Sequence, residues 1–391
     1  MNIELRTARP SDIDTLLQLY REIYGNTYPL EIGTHREKMH AAIVSNSFLW
    51  IVAESQSAKS DTEPFQAQVV GSCVLEMDKH NGIGKIEALA VSPAFRKSGV
   101  AQSLVEACVT SALNEHTGFL DSIYATTRTL SVGPQLVLLH AGFLPLGIFP
   151  NAHRLKEAET LTLVARFRPG VLERRLLVQT YPPKLEALLR TCEQATGLSF
   201  AQAAASQFQE APASAFQLDT EFEIIFAERY VKAQFEKTRN SRQESFYPFH
   251  TPNLLLTSPE LGIEVFCLFQ KSDGYCTIVS ISKSLSDVSP YFREILKTLR
   301  KFGMLYSECL VSLANTEDLE VLLAHNFIPS ALYPAMLETP EGMMDHVLLS
   351  RTLEPLHFRG LQVEKKFQGY IKQYIEAWQK QHLEGMVTYG T

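Results

Sequence analysis

The sequence predicts an α/β (α+β) fold: two mixed-sheet units in tandem, the second a degenerate relative of the first, closed by a C-terminal helix. Three observations lead there. Strand-like and helix-like patterns alternate through residues 1–167. Pieces of the same pattern return in the same order after residue 221. Residues 363–383 place Phe367, Tyr370, Ile371, Tyr374, Ile375 and Trp378 at helical spacing on one face.

Residues 3–7 alternate apolar and polar, as a half-buried strand does. Pro10-Ser11-Asp12 then offers a helix start with Ser11 as N-cap. Ile13, Leu16, Leu17, Leu19, Tyr20 and Ile23 keep the apolar face of that helix, and a second helix is expected over 35–44. Residues 48–53 and 69–77 read as strands around a polar, small-residue hairpin loop at 55–64. Residues 83–91 read as a strand, 100–113 as a helix, 121–126 as a strand and 132–141 as a helix. Two further strands end near Phe167.

Residues 168–220 read as a helical linker, with Leu185, Leu188, Leu189 and Cys192 on a short amphipathic helix after Pro182-Pro183. The Ala/Gln/Ser-rich stretch 201–216 is a helix or a loose connector. Residues 221–355 form the second unit and 356–391 a C-terminal extension. Gly142-Phe143-Leu144-Pro145 parallels Asn326-Phe327-Ile328-Pro329, each after a Leu-rich helix. Ser92-Pro93 parallels Ser289-Pro290, and 86–91 parallels 277–282.

Composition narrows the function. The chain is 45% hydrophobic and 20% charged, which excludes wholesale disorder. The net charge is −7, and residues 1–167 hold 14 basic against 17 acidic side chains, so neither half is basic enough to suggest nucleic-acid binding. No apolar run approaches the roughly 18–20 residues of a membrane span; the apolar stretch 136–148 is broken by His140, Gly142 and Pro145. The first residues lack a basic and then apolar leader, so no secretory signal and no membrane partner are expected. Six cysteines form no CxxC pair and read as reduced, mostly buried thiols of a cytoplasmic protein. No Cys/His cluster has zinc spacing, and no metal is expected.

The chemistry concentrates in Ile86-Glu87-Ala88-Leu89-Ala90-Val91-Ser92-Pro93-Ala94-Phe95-Arg96-Lys97-Ser98-Gly99-Val100-Ala101. A strand ends, a loop with two cations and one glycine follows, and a helix opens. Free N–H groups at a helix start and the helix dipole attract anions, and glycine permits a tight, close turn. That arrangement suits a phosphate or pyrophosphate. The same residues also describe an ordinary strand-to-helix turn.

Arg96-x-x-Gly99-x-Ala101, preceded by Leu89-x-Val91-x-Pro93, resembles the acyl-CoA motif of the GNAT N-acetyltransferase superfamily. The element order of 3–167 and Gly142-Phe143 after the last helix resemble it as well. The resemblance implies acetyl-CoA as co-substrate. Leu89, Ala90 and Val91 would line the pantetheine arm, Leu89 and Val91 through their backbone. Arg96, Lys97, Ser98, Gly99, Val100, Ala101 and Gln102 would hold the pyrophosphate. Acetylation needs a neutral amine, hence a base, and Glu87 is the candidate on the strand entering the motif; it could also simply pair with a neighbouring cation.

The sequence departs from the family where a tyrosine often serves as general acid, since that position is Leu138. Ser131, His140 and Tyr124 are the nearby polar groups. Residues 149–153, with Asn151 and His153, form a candidate lip of the acceptor site or an ordinary turn. In the second unit the matching loop, Ser282-Lys283-Ser284-Leu285-Ser286-Asp287-Val288-Ser289-Pro290, has no glycine and carries Asp287. The expected activity is acetyl transfer to the primary amine of a small molecule. Acetylation of a protein lysine or N-terminus and non-catalytic acyl-CoA binding are the alternatives, and a homodimer is one arrangement open to the chain.

Overall fold

The computed structural model describes residues 2–25, 30–56, 68–114, 118–201, 220–239 and 247–384. Most of the expected loop 55–64 and of the stretch 201–216 lies outside these residues. Packing gives two compact units. The first takes Met1–Thr126, Gly133–Leu144 and Val164–Val171; the second takes Thr127–Val132, Pro145–Leu163 and Leu172–Thr391.

The first unit begins with β1 (Asn2–Thr7), a 3-10 turn (Pro10–Asp12), α1 (Ile13–Tyr24), the short α2 (Glu31–Thr34) and α3 (Arg36–Val44). Strands β2 (Phe48–Gln56), β3 (Gln68–Asp78) and β4 (Ile83–Val91) follow. Then come α4 (Val100–Leu113), β5 (Ser122–Arg128) and α5 (Gly133–His140). The chain continues through β6 (Leu144–Arg154) to β7 (Ala158–Phe167), whose last residues return to this unit. β1 to β4 form an antiparallel meander. β5 adds to β4 in parallel, with α4 as the crossover that a parallel pair requires.

Ser11 does not cap α1. The first turn is 3-10, and the Asp12 carboxylate accepts from the Arg9 backbone N–H at 2.7 Å and from Arg6 at 2.7 and 2.9 Å. A buried acidic residue paired with a strand arginine thus fixes the helix entry instead of a hydroxyl. Leu16, Tyr20, Met39 and Trp50 fill the core between α1, α3 and the sheet. Ser72 satisfies the polar ends of two of these aromatics, accepting from Trp50 Nε1 at 2.7 Å and bonding Tyr20 Oη at 3.3 Å. On α4, Val100, Leu104, Val105 and Cys108 are buried. A Cβ on Gly71 would come within 2.9 Å of Leu104 Cδ1, so β3 carries glycine there.

The second unit holds most of β6, the first part of β7, α6 (Glu186–Thr196), β8 (Glu223–Ile225) and α7 (Glu228–Arg239). It continues with β9 (Leu254–Ser258), β10 (Ile263–Gln270), β11 (Tyr275–Ile281), α8 (Leu285–Val288) and α9 (Phe292–Phe302). β12 (Tyr306–Ser312), α10 (Thr316–Ala324), β13 (Ile328–Thr339), β14 (Gly342–Thr352) and α11 (Gln368–Gln379) complete it. The strand order β8-β9-β10-β11-β12-β14-β13 repeats β1-β2-β3-β4-β5-β7-β6. The parallel pair β11–β12 stands where β4–β5 stands.

Segment 168–220, expected as a linker, gives α6 to this unit: Leu185, Leu188, Leu189 and Cys192 are buried, against β13 and α11. α11 docks on its own chain. Tyr370 Oη donates to Pro145 O at 2.7 Å, Gln373 Nε2 donates to Pro329 O at 3.2 Å, and Tyr374 Oη bonds Ser350 Oγ at 3.0 Å. Glu308 on β12 is fully enclosed, and Tyr306 Oη donates to its Oε2 at 2.8 Å while Tyr247 and Tyr275 donate to Oε1 at 2.5 Å. Burial raises the pKa of this carboxyl, and the three phenols oppose the rise. All six cysteines are free and buried. Among the described residues no helix is long and apolar enough to cross a membrane.

Candidate active site

The site begins with a strand that leaves its neighbour. β4 pairs with β3 from Ile83↔Asp78 to Val91↔Gly71. With β5 it pairs only from Ile83↔Ser122 to Ile86↔Ala125. The change coincides with a β-bulge: Val74 faces Ala88 and Leu75 faces Ile86, so Glu87 is the extra residue. A bulge adds twist and re-aims the strand. Ser92 N donates to Val70 O at 2.9 Å. By the two-residue period, Ala88 and Ala90 also turn their backbone groups to β3. Leu89 and Val91 therefore turn theirs to the side β5 has vacated. Tyr24 Oη donates to Leu89 O at 3.3 Å, as an outward carbonyl allows.

The loop after β4 makes a 3-10 turn over Pro93–Phe95 and then reaches α4. Lys97 (φ 62°) and Gly99 (φ 86°) both adopt left-handed conformation, with Ser98 between them. Alternation of this kind turns successive N–H groups into a concavity for an anion. The first bond of α4 runs from Ser103 N to Gly99 O at 3.0 Å. The N–H groups of Val100, Ala101 and Gln102 thus have no acceptor within the helix, and no side chain caps it. A Cβ on Gly99 would meet nothing within 4 Å. The glycine answers to backbone conformation, not to crowding, and it leaves the concavity open. Arg96, Lys97 and Ser98 are exposed, and Ser98 Oγ braces the turn by donating to Phe95 O at 2.6 Å.

A carboxyl cluster lies on β3 and β4. Glu76 on β3 stands directly opposite Lys85 on β4, and Lys85 stands directly opposite Tyr124 on β5. Directly opposed residues project to the same face. Lys85 Nζ lies 2.7 Å from Glu87 Oε1. Glu87, two residues beyond Lys85 on the same face, is thus a diagonal neighbour of Glu76. Burial first, then the Glu87 charge and hydrogen bonding between the two carboxyls, push Glu76 up to about 7, with Lys85 opposing.

Sequence reading named Glu87 as a candidate and did not name Glu76, which the register brings beside it. The signal was present only as two carboxylates eleven positions apart on strands joined by a short turn, and register decides whether such residues meet. Leu138 is buried, so no phenol stands at that position of α5, and His140 is exposed in the last turn. Tyr124 is buried and meets Phe167 edge-on at 6.1 Å. In the second unit Asn151 is buried, its Nδ2 donating to Thr352 Oγ1 at 3.2 Å and Pro355 O at 3.0 Å, and His153 Nδ1 lies 3.0 Å from Asp273 Oδ2. Among the described residues no group of three His, Cys, Asp or Glu is arranged to hold a metal ion.

Residues 13–133 match the acetyltransferase (GNAT) family. No curated protein matches the chain. Similar solved structures include Arabidopsis thaliana NAA60 with a bisubstrate analogue, 16% identical over 43% of this chain and 99% of that one, with a TM-score of 0.36. A GNAT-family acetyltransferase from Bacillus cereus is 18% identical over 43% of this chain and 99% of its own, with a TM-score of 0.32. A chimera of the spermidine N-acetyltransferase SpeG from Vibrio cholerae with hSSAT is 16% identical over 43% of this chain and 97% of its own, with a TM-score of 0.34.

Proposed function

We propose, from the premise that residues 13–133 form an acetyltransferase domain of the GNAT family, that the chain transfers an acetyl group from acetyl-CoA to the primary amine of a small molecule by direct attack. The observation that carries this reading is continuous: β4 leaves β5 after Ile86, exposes the Leu89 and Val91 backbone, and runs through the Lys97–Gly99 turn into the uncapped start of α4. Its donors fit the co-substrate. The N–H groups of Val100, Ala101 and Gln102 converge with the Arg96 and Lys97 charges on a space a pyrophosphate fills. The Leu89 and Val91 backbone groups suit an extended amide chain laid along β4, beside Ala90, as a strand would lie.

The thioester supplies an activated acyl group with a thiolate as leaving group. The residues of the chain do the rest. Glu87, at the head of the gap, takes a proton from the incoming ammonium so that a neutral amine can attack. A backbone N–H near Leu89 faces the gap and stabilises the developing oxyanion. With Leu138 in place of a phenol, the thiolate that leaves the acyl carbon takes its proton from the newly acylated nitrogen.

We assign 1–167 as the catalytic domain, 221–355 as its degenerate copy and 356–391 as the closing extension; 168–220 joins the two and lends α6 to the packing of the second unit. The repeated strand order supports the duplication. In the second copy the loop has no glycine, and the N-terminus of α8 is filled by Ser284 Oγ, which accepts from Asp287 N at 3.1 Å. That copy is built to pack, not to hold a pyrophosphate.

Leu138 also favours a second reading, an acyl-CoA-binding module without turnover. Calorimetric titration of acetyl-CoA into wild type and Gly99→Glu tests both. Saturable binding in wild type that weakens at least tenfold in the variant, with thiol release on adding amines, supports the enzyme. Binding without thiol release from any amine supports the module. No binding to wild type refutes both.

A further inference from the structure

Two carboxyl groups within hydrogen-bonding distance cannot both be ionised and bonded; the bond requires a proton between them. That is the relation of Glu76 to Glu87. Register produces it. Glu76 stands directly opposite Lys85, and Glu87, two residues beyond Lys85 and paired to it at 2.7 Å, shares that face, so the two carboxyl groups are diagonal neighbours across β3 and β4.

The surroundings are asymmetric. On the β4 side Glu76 faces Lys85 and Glu87; Asp78 is the nearest acid on its own strand; Tyr124 follows on β5. On the β2 side its partner is Phe48, which carries no charge. Glu87 is pinned by Lys85 at 2.7 Å. Lys85 across the strand is the cation that acts on Glu76, which lies between Phe48 and a like charge.

We propose that Glu76 shares a single proton with Glu87 and sets the charge state in which Glu87 takes the proton from an incoming ammonium group. This rests on the acetyl-transfer reading above. When the pair is fully ionised, R–NH3+ loses one proton to it and becomes R–NH2, while the pair becomes the hydrogen-bonded monoprotonated form. The nitrogen lone pair then forms the C–N bond, and the C–S bond breaks toward sulfur. The thiolate takes the second nitrogen proton to give the amide and the free thiol. The proton held by the pair passes to solvent. Without its partner, Glu87 beside Lys85 is a weaker base at the same place. Glu76 is thus a positioning residue that tunes the base.

A burial-driven rise in the Glu76 carboxyl to about 7 agrees with the geometry. It places the change of state where an amine acetyltransferase working near neutrality can use it.

Two measurements on the full chain decide this. The first is a carboxyl titration by NMR on protein labelled with carbon-13 at the glutamate side chains. The proposal requires a resonance pair that titrates together near neutrality and is lost in both Glu76→Gln and Glu87→Gln. Independent titration of the two groups in the ordinary carboxylate range overturns it. The second is the pH profile of kcat/KM with acetyl-CoA and the primary amine turned over fastest in a thiol-release screen. In Glu76→Gln the acid limb moves down by more than one pH unit and the plateau falls roughly tenfold, with KM for acetyl-CoA unchanged. A limb that stays in place with only a lower plateau overturns the tuning role. Wild type that releases no thiol with any amine refutes the acetyl-transfer reading, while the NMR titration still decides whether the proton is shared.

Discussion

Lys85 Nζ sits 2.7 Å from Glu87 Oε1, two residues away on the same strand, and stands directly opposite Glu76 on the next. One ammonium thus serves two carboxyl groups. It lowers the cost of ionising both, and its charge opposes the rise in Glu76. Removing it should therefore act opposite to removing Glu76. In Lys85→Met the acid limb of the pH–rate profile is expected to rise by about one unit, since a cation this close contributes on that order even when partly solvated. A limb that moves down, or not at all, would show that Lys85 is not coupled to the carboxyl pair proposed as the base.

The same cluster predicts a stability effect. Folding raises the Glu76 carboxyl to about 7, above the roughly 4.3 of a free glutamate. The folded state then binds more protons than the unfolded state between these values, so stability falls as pH rises through this window. Glu76→Gln keeps an N–H donor toward Glu87 and removes the titration. At pH 8 the variant is expected to be more stable than wild type by about 1–2 kcal/mol, reduced for partial solvation, with the difference vanishing near pH 4. Urea melts at the two pH values measure it; an equal difference at both would exclude the linkage.

The contrast between these residues and the neighbouring loop shows what sequence carries. Strand 83–91 and helix 100–113 were legible to the residue, because Pro93, the cations and Gly99 punctuate the chain within a dozen positions. The left-handed turn at Gly99 follows from its being glycine. Lys97 in the same conformation does not. Glu76 was hidden because its proposed role depends on β3–β4 register, which no local pattern announces. Ser11 looked like a cap by residue type, yet Asp12, held by Arg6 of β1, takes that role and accepts from the Arg9 N–H. Glu308 was equally hidden: one acid in an alternating strand reads as a solvent-facing residue until Tyr247, Tyr275 and Tyr306 close over it.

Buried charge in the second unit gives a larger effect. Arg175 and Asp345 are 4% and 1% exposed. Arg175 Nε donates to Asp345 Oδ1 at 2.8 Å, the Ala335 N–H donates to the same oxygen at 2.9 Å, and the guanidinium lies 4.5 Å from the centre of the Phe200 ring. Ala335 itself has φ 48° within the irregular stretch of β13 between Tyr333 and Leu337. Asp345 therefore holds a bulge as well as a cation. Asp345→Leu should cost about 3–5 kcal/mol by stranding the guanidinium. The double variant Arg175→Met/Asp345→Leu should recover most of that, less about 1–3 kcal/mol for the orphaned Ala335 N–H. Full recovery in denaturant melts would mean that the bulge does not need the carboxylate.

His346, on β14 between Tyr333 and Ser312, supplies the complementary pH dependence. Burial lowers it from 6.5 to about 4, so it is neutral in the folded chain at pH 7. The sign is opposite to that of Glu76. Between about 6.5 and 4 the unfolded state binds the extra proton, and the stability that a neutral imidazole preserves is lost as pH falls through this window. The loss reaches on the order of 3 kcal/mol, since each unit of difference is worth about 1.4 kcal/mol. His346→Leu removes the titrating ring while keeping an apolar side chain of similar length. The variant is expected to be less sensitive to acid than wild type, with the gap between their urea midpoints closing or reversing from pH 7 to pH 4.5. Parallel midpoints across that range would place the acid sensitivity elsewhere.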